Sequence, residues 1–335
     1  MLNFTLRRLI LAVPTLLIIS LLIFLLLDFA PGDPTANMPL TIPPEVREDM
    51  RRALGLGEPV HIRYIRWLYL VFVVEPSHIL ANMTGLDVAV EGNRLLSWQS
   101  RSPVADIIAQ RMPQTLWVVG LSYLFGIMIA LPIGIISAYR QYSWFDQVGT
   151  FIAMIGFSIP TFFTGVLLIV IFSVNLGWLP SMYDTTHSVT DWSSFVRQVK
   201  MMIMPVAVLA LYNAAQISRF MRASMLDNLN QDYVRTARAK GMNERVVVLL
   251  HVLRNSMIPV VTVIALGVPT IFAGAIITEQ IFRVNGLGQL LITAIYANDI
   301  PMVQTLTFIF AVLIVLFNLI ADVLYGILDP RIRYD

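Results

Sequence analysis

Long apolar runs without charge alternate with short polar segments along most of this chain. The first run, Leu9–Leu27, follows the basic pair Arg7 and Arg8. A helix of about 20 apolar residues can cross a hydrocarbon core of about 30 Å. A signal peptide would have a shorter apolar region and a small-residue cleavage site, and no such site follows Leu27. We therefore predict an uncleaved first transmembrane helix.

Five more apolar runs predict five more transmembrane helices. They are Leu116–Tyr139, Val148–Val174, Met201–Ile217, Ile258–Thr278 and Leu306–Leu328. Met201–Ile217 is the least regular of them, because Asn213 and Gln216 interrupt it. Pro132 and Pro160 predict kinks, which neighbouring helices can accommodate in a membrane. The predicted fold class is thus an all-α polytopic membrane protein with six transmembrane helices.

A polar segment, residues 31–112, separates the first two predicted spans. It contains two candidate helices, Glu45–Leu56 and Val60–Val74, and the second carries aromatic residues suited to a membrane–water interface. We predict one folded extramembrane segment here. It would lie between an N-terminal part at 1–30 and a five-helix transmembrane core at 113–335.

Composition supports a membrane protein and excludes several kinds of site. The chain is 57% hydrophobic and 13% charged, whereas about a quarter of the residues in soluble domains are charged. Only two of its 23 basic residues are lysine, which argues against a nucleic-acid partner. Without cysteine it has no disulfide, thiol nucleophile or cysteine metal site. The four histidines, His61, His78, His187 and His251, have no metal-ligand spacing, so no metal site is predicted.

The positions of arginine and lysine predict the orientation in the membrane. With a cytoplasmic N-terminus, twelve basic residues lie on the inner side and three lie in short outer loops. The eight in residues 31–112 are left out of this comparison, because loops longer than about 60 residues cross regardless of charge. Both termini and the basic stretch Asp232–Arg245 are therefore predicted to be cytoplasmic.

The stretch Asp232–Arg245 predicts two short helical pieces. Asp232 is the predicted N-cap of the first piece, and Gly241 is its predicted left-handed C-terminal residue. Asn243 and Glu244 then restart a helix that continues into the next apolar run. A short charged helix has no core of its own, so we predict that it docks on another protein. The alternative is a basic loop that only sets the topology.

The sequence lacks the motifs of several energy-coupling and hydrolytic chemistries. It contains no G-x-x-x-x-G-K-[ST] phosphate loop, no H-E-x-x-H and no G-x-S-x-G. We therefore predict no catalytic residue, and the energy for any transport would come from another protein. Ion coupling would place carboxylates in mid-membrane. The candidates are Asp28 and Glu279, which a hydrated position at a span end also explains, and Asp322 inside the last span.

The basic stretch resembles the cytoplasmic signature in the membrane subunits of binding-protein-dependent ABC importers. The E-A-A-x-x-x-G frame of that family falls on Arg235–Gly241, where Ala237 and Gly241 match and Arg235 and Thr236 differ. The chain is most similar to the oligopeptide/dipeptide permease B type. Further matching motifs are Pro31-Gly-Asp-Pro34, Ser100-Arg-Ser-Pro103, Glu279-x-Ile-Phe282, Gly286-Leu-Gly288 and Asp329-Pro-Arg-Ile-Arg333. The resemblance is weakest over residues 75–99.

The resemblance implies a type I ABC importer permease fold in the bacterial cytoplasmic (inner) membrane. The chain would form half of a pathway for di- and oligopeptides, together with a homologous second permease. One or two ATPase subunits would bind ATP and Mg²⁺, and a solute-binding protein would deliver the solute from outside. This chain would bind no cofactor and would not be an enzyme.

A cytoplasmic coupling helix at about 232–245 would contact the ATPase. The implied ATPase-coupling residues are Arg235, Thr236, Ala237, Arg238, Lys240, Gly241, Asn243 and Glu244. The basic residues would supply polar contacts to the partner. Ala237 would allow a close approach of the partner, and Gly241 would allow a sharp turn.

Three alternatives remain open at this point. The same machinery could import nickel, glutathione, an opine or an oligosaccharide. The chain could instead be an ion-coupled secondary transporter, or a scaffold that transports nothing.

Five aromatic residues could line a pathway or face lipid: Trp117, Tyr123, Phe157, Phe162 and Phe163. No substrate-binding residue is predicted.

Overall fold

The computed structural model describes residues 2–29, 43–46, 48, 57–90 and 92–328, and these residues are mostly helical and contain no β-strand. The helices are α1 (Leu2–Asp28), α2 (Val60–Tyr69), α3 (Glu75–Thr84), α4 (Val104–Tyr139), α5 (Trp144–Ser158), α6 (Thr161–Leu168), α7 (Trp192–Leu229), α8 (Asp232–Ala239), α9 (Glu244–Val246), α10 (Leu253–Phe282), α11 (Leu287–Tyr296) and α12 (Ile300–Leu328). Wider π-type turns at Leu70–Val74 and Val247–Val252 join α2 to α3 and α9 to α10, and Ile169–Asn175 extends α6. Most of the predicted helix Glu45–Leu56, and the motifs at 31–34 and 329–333, lie outside the described residues.

Five of the described helices are long and apolar enough to cross a membrane, and α5 with α6 makes a sixth crossing if the pair is one broken span. This agrees with the six predicted crossings. The run Val148–Val174 is not a single kinked helix, however, because the chain bends by 104° between α5 and α6. Ile159 is extended there, with φ −81° and ψ 125°. Pro160 accounts for the break, since it lacks an N–H and disfavours a helical conformation in the residue before it.

Pro132, in contrast, lies inside α4 without interrupting the helix.

The contacts between residues divide the molecule into two compact units. One unit contains the described parts of 1–10, 114–289 and 313–335, and the other contains those of 11–113 and 290–312. Both units combine segments distant in sequence. The boundaries predicted from sequence at 30/31 and 112/113 stay predictions.

Helix α7 is the centre of the first unit, with α5, α6 and α10 packed against it. Its buried side is mostly apolar and includes Met204, Ala214, Met221 and Met225. An ion pair joins α5 to α7 as well. The Arg222 guanidinium donates two hydrogen bonds to the Asp146 carboxylate, at 2.6 and 2.8 Å.

A row of small residues lets α4 approach α7 closely. Gly126, Ala130 and Gly134 recur every four residues on one side of α4, and Ala130 is fully buried. A Cβ atom on Gly134 would lie 2.6 Å from the Met221 Cβ and 2.7 Å from the Ser218 carbonyl oxygen. Small residues at this spacing allow membrane helices to pack backbone against backbone.

The second unit has a separate apolar cluster around Phe24, Trp67 and Phe308. The predicted helix Val60–Val74 is present as α2 with its π-type extension, and it continues as α3 to Thr84. The Trp67 and Phe308 rings meet edge to face, with 5.5 Å between their centroids.

The segment 75–99, which resembles the family least, is nevertheless fastened to its unit. Arg94 donates to the buried Glu75 carboxylate at 2.7 Å and to both oxygens of Asp106 at 2.8 and 2.9 Å. The hydrogen bonds that Arg94 donates to Asp106 and, to a lesser degree, to Glu75 raise the pKa of its guanidinium above the ordinary value. Glu75 also accepts the Leu95 N–H at 2.9 Å. Arg94 and Glu75, two of the charged groups of this segment, are therefore paired.

A second carboxylate, that of Asp299, holds the end of the same segment. It accepts the hydroxyl of Ser97 and the Trp98 N–H, the latter at 3.0 Å. Asp299 lies directly before α12 and also accepts the Met302 N–H at 3.4 Å. One buried side chain thus caps a helix and anchors a loop.

We expect Gly134→Ala to destabilise the protein. The added methyl group would meet a backbone carbonyl of α7 at 2.7 Å, and overpacking of this kind costs about 1–3 kcal/mol. The measurement is thermal unfolding of the purified transporter complex in detergent.

The matched control for that substitution is Gly120→Ala on the same helix. A Cβ on Gly120 would meet nothing within 4 Å, and alanine favours a helix over glycine by up to about 1 kcal/mol. The control should unfold at the wild-type temperature or above. Equal unfolding temperatures for the two variants would contradict the close approach of α4 and α7.

Candidate functional site

The basic stretch after α7 forms the short helix α8, Asp232–Ala239. The predicted N-cap is wrong by one residue. Gln231 occupies the cap position, with φ −75° and ψ 152°, because the chain leaves α7 at Asn230 and needs one extended residue to change direction. Asp232 is the first helical residue, where its carboxylate lies at the positive end of the helix dipole.

The C-terminal end of α8 agrees with the prediction. Gly241 has a left-handed backbone, with φ +73°. Its N–H donates to the Arg238 carbonyl at 2.9 Å, and the Met242 N–H donates to the Ala237 carbonyl at 3.3 Å. A Cβ on Gly241 would meet nothing within 4 Å. Glycine is therefore favoured here by backbone conformation alone.

The restart of the helix after Gly241 also agrees with the prediction. The Asn243 side chain accepts the Arg245 N–H at 3.0 Å and caps α9, which begins at Glu244. Helix α9 continues through the π-type turns of Val247–Val252 into α10. A helical connection therefore leads from Glu244, just beyond the turn that ends α8, into an apolar helix.

One side of α8 is buried against the rest of the chain. Val234 and Ala237, one turn apart, belong to a hydrophobic cluster with Val247, Val248 and Val252. Burial of a valine side chain contributes on the order of 1.5–3 kcal/mol. A helix of two turns is not stable alone in water, so this contact keeps α8 folded and fixed to its unit.

The other side of α8 is polar and exposed. The Arg235 side chain is 72% exposed, and its contact at 3.4 Å is with Asp232, which is 96% exposed. An ion pair between such exposed groups contributes little to stability. The exposed residues among those predicted to couple to the ATPase are Arg235, Thr236, Arg238, Lys240, Gly241 and Asn243.

Arg238 and Glu244 form an ion pair across the turn after α8. Two guanidinium nitrogens of Arg238 donate to the two carboxylate oxygens of Glu244, at 2.7 and 3.1 Å. The hydrogen bond with Glu244 raises the pKa of Arg238 above its ordinary value. This pair stabilises the junction between α8 and α9, a role that the sequence did not indicate for either residue.

Ala237 lies on the buried side of α8, which changes the role expected for it. We expected its small side chain to allow a close approach of a partner protein. The structure places the methyl group in the cluster with Val234 and Val247 instead. The small side chain therefore brings α8 close to the helices of its own chain.

Two contacts of α8 were not anticipated from the sequence. Val234 is fully buried, and the Tyr233 hydroxyl donates to the Asn228 side-chain oxygen at 2.6 Å, which joins α8 to the last turn of α7. The burial of Val234 could have been predicted from the sequence, because Val234 and Ala237 are an apolar pair at i, i+3 on a mostly polar helix.

Two of the three candidate ion-coupling carboxylates form ion pairs. Asp28, at the end of α1, is paired with Arg63. Asp322, inside α12, lies 3.1 Å from an Arg8 guanidinium nitrogen, and both side chains are partly exposed. Pairing with an arginine explains a carboxylate near a membrane without any role in ion transport.

The third carboxylate, that of Glu279, is not the hydrated group expected at a span end. It is fully buried and accepts the Thr115 hydroxyl at 2.6 Å. It also accepts the N–H groups of Gly288 and Gln289, at 2.7 and 3.2 Å. A Cβ on Gly286 would overlap the carboxylate. Glu279 therefore caps the start of α11, and the nearby glycines provide the space.

The aromatic residues do not assemble into a substrate site among the described residues. Phe157 stacks on Tyr212 at 6.1 Å between centroids, and the Arg219 guanidinium lies 4.7 Å from the Phe157 centroid. The Tyr123 hydroxyl donates to the Ile264 carbonyl. Trp117, Phe162 and Phe163 are exposed. In the described part of the chain, no group of three histidine, aspartate or glutamate side chains could hold a metal ion.

Comparison with known proteins covers nearly the whole chain. Residues 130–334 match the family described as binding-protein-dependent transport system inner membrane component, and residues 1–119 match the N-terminal family of such membrane components. The oligopeptide transport system permease protein AppB of Bacillus subtilis (strain 168) is 38% identical over 335 residues, covering 99% of each chain. The glutathione transport system permease protein GsiC of Escherichia coli (strain K12) is 40% identical over 338 residues, covering 100% of each chain.

Solved structures share the fold at low sequence identity. An inward-facing form of the MetNI methionine ABC transporter has a TM-score of 0.53 at 18% identity, covering 67% of this chain and 96% of that one. An amino acid ABC transporter has a TM-score of 0.52 at 13% identity, covering 66% and 93%. With the family matches, these confirm the resemblance found in the sequence: the chain belongs to the inner membrane components of binding-protein-dependent transport systems, and it is a multi-pass permease subunit of an ABC importer.

Proposed function

We propose that this chain forms half of the translocation pathway of a peptide importer and is coupled to an ATPase subunit through α8. The observation that carries the proposal is the two-sided construction of α8. Val234 and Ala237 fix one side to the chain's own hydrophobic cluster, and the other side presents Arg235 to solvent. A helix held in this way transmits a displacement applied to its exposed side.

The proposed topology puts α8 where an ATP-hydrolysing partner can reach it. The excess of arginine and lysine, twelve against three, supports a cytoplasmic position for α8 and both termini. Arg235 and Lys240 lie on the exposed surface, and their positive charge fits an acidic or polar cleft on the partner.

The proposed assembly contains subunits that supply what this chain lacks. A homologous second permease would complete the pathway, and one or two ATPase subunits would bind ATP and Mg²⁺. A solute-binding protein would deliver the solute from outside. The description of the family as binding-protein-dependent supports the last partner. The missing phosphate-loop motif in this sequence supports separate ATPase subunits.

Peptides are the proposed solute class. Relatives that match the chain over its full length are named for transport of oligopeptides and of glutathione, itself a short peptide. Nickel, an opine or an oligosaccharide are the alternatives in the same machinery. An ion-coupled mechanism has less support, because Asp28 and Asp322 are paired with arginines and Glu279 caps a helix.

We expect Arg235→Glu to abolish ATP-dependent uptake in the reconstituted complex. Reversing a charge that meets an oppositely charged partner group costs on the order of 2–5 kcal/mol when the pair is desolvated. The measurements are solute uptake and co-purification of the ATPase subunits. Arg140→Glu, the same change at an exposed position outside α8, is the matched control and should retain both. Normal uptake by the Arg235 variant would refute the proposed coupling surface.

Two substitutions at Gly241 test whether its left-handed backbone is needed. Proline fixes φ near −65° and removes the N–H that bonds to Arg238, so Gly241→Pro should uncouple ATP hydrolysis from uptake. Asparagine tolerates a left-handed backbone, so Gly241→Asn should retain most of the uptake. ATPase and uptake rates of the same preparations give the measurement. Equal uptake by both variants would mean that the turn does not matter.

Uptake by proteoliposomes that contain the complex and its binding protein tests the solute and the energy source. We expect accumulation of labelled di- or oligopeptides, or of glutathione, to require ATP and to survive dissipation of the ion gradients. Uptake that persists without ATP and disappears with the gradients would instead favour the secondary-transporter alternative. Transport restricted to nickel, an opine or an oligosaccharide would correct the solute class alone.

A further inference from the structure

Helix α2 packs beside the first transmembrane span and not beyond its end. The hydroxyls of Tyr64 and Ser20 share a hydrogen bond of 2.8 Å, and the Tyr64 hydroxyl also donates to the Leu17 carbonyl at 3.3 Å. The rings of Tyr64 and Phe24 meet edge to face at 5.4 Å. Leu16 packs against the same cluster. The contacts of α2 therefore extend well along the apolar run of α1.

The position of these contacts along α1 gives their depth in the membrane. Ser20 precedes Leu27, the last residue of the uncharged run, by seven residues. At 1.5 Å per residue, Ser20 lies about 10 Å from the end of that run. Half of a hydrocarbon core is about 15 Å thick. The buried side of α2 is therefore at the level of the acyl chains in the leaflet where α1 ends.

Contacts with a second membrane helix, α12, independently indicate the same depth for α2 in the membrane. The Phe308 ring on α12 lies 5.5 Å from the Trp67 ring and 5.5 Å from the Phe72 ring, between centroids. Val312, one turn further along α12, packs against the same cluster. Both residues of α12 lie within the apolar run Leu306–Leu328.

The outward side of α2 and of its π-type extension is apolar as well. Ile62, Ile65, Tyr69 and Phe72 recur at steps of three and four residues and are all exposed, Ile65 to 63% and Phe72 to 49%. This row lies on one side of a helix. Contact of this apolar surface with water carries a free-energy cost that grows with its area. Contact with lipid removes that cost.

The charged groups of α2 do not oppose contact with lipid. Arg63 is paired with Asp28 at the end of α1. Arg66 donates to the Glu58 carboxylate at 2.8 Å. Arginine side chains at a membrane interface keep their charged ends near the headgroups, while their aliphatic parts lie in the apolar layer.

We propose that α2 with its π-type extension is a membrane-interface helix whose row Ile62, Ile65, Tyr69 and Phe72 contacts acyl chains in the leaflet where α1 ends. Helix α2 then belongs to the bilayer and not to the predicted extramembrane segment. Helices with an apolar side at this level lie in the plane of the interface. The proposal depends on neither the solute nor the coupling mechanism.

Spin labels at single cysteines can test this contact, since the chain contains no cysteine of its own. Ile65→Cys and Phe72→Cys would be labelled in the complete transporter complex, in nanodiscs of phosphatidylcholine and phosphatidylglycerol. Collision rates are measured with oxygen, which concentrates among acyl chains, and with a neutral nickel chelate, which stays in water. Asp87→Cys in the exposed loop after α3 is the water control, and Ile18→Cys on the exposed side of α1 is the lipid control. The complex without an introduced cysteine is labelled in parallel, and it gives the amount of label that attaches to cysteines of the partner subunits.

The ratio of oxygen to nickel collision rates should be several-fold higher at positions 65 and 72 than at 87, and closer to that at 18. A ratio like that at 87 would place the helix in water and overturn the proposal. Low collision rates with both reagents would show that a protein partner covers the row, which would also overturn it. The two labelled positions are tested separately, so failure of one variant to assemble leaves the other.

Discussion

The burial of Val234 and Ala237 is the contact on which α8, the proposed coupling helix, depends. Helix α8 has two turns, a polar sequence and an exposed outer side, so nothing within it would keep it folded. The valines that follow the turn at Gly241 provide the apolar surface that it needs. Because those valines lead directly into α10, the same contact that stabilises α8 also connects it to a membrane helix.

Carboxylates with defined partners recur through this structure. Asp146, Glu75 and Asp28 each meet an arginine, whereas Glu279 and Asp299 accept backbone N–H groups at helix starts. In a protein with few charges, an unpaired carboxylate in an apolar layer would cost several kcal/mol. Pairing of this kind permits acidic residues in membrane helices without assigning them to ion transport.

The sequence predicted those features that depend on local patterns. The apolar runs predicted the membrane crossings. Glycine after a short helical pattern predicted the left-handed turn at Gly241. The pairing of Arg238 with Glu244 and the burial of Ala237 could not be predicted, because each depends on how the chain folds back after α8. The size of the bend at Pro160 was not predicted, since a proline shows where a helix is weakened but not how far the chain turns. The place of α2 beside α1 depends on contacts between residues far apart in sequence.

The capping of α11 by Glu279 has a mechanical consequence. The carboxylate belongs to the last turns of α10, and its Oε2 accepts the N–H groups of Gly288 and Gln289 beyond the intervening turn. Thr115 binds both this carboxylate and the Leu287 N–H, at 2.6 and 2.8 Å. Rotation of α10 would therefore carry the turn and the first residues of α11 as a single body. Motion of α10 can thus reach the first residues of α11 without being absorbed by a flexible joint at the turn between them.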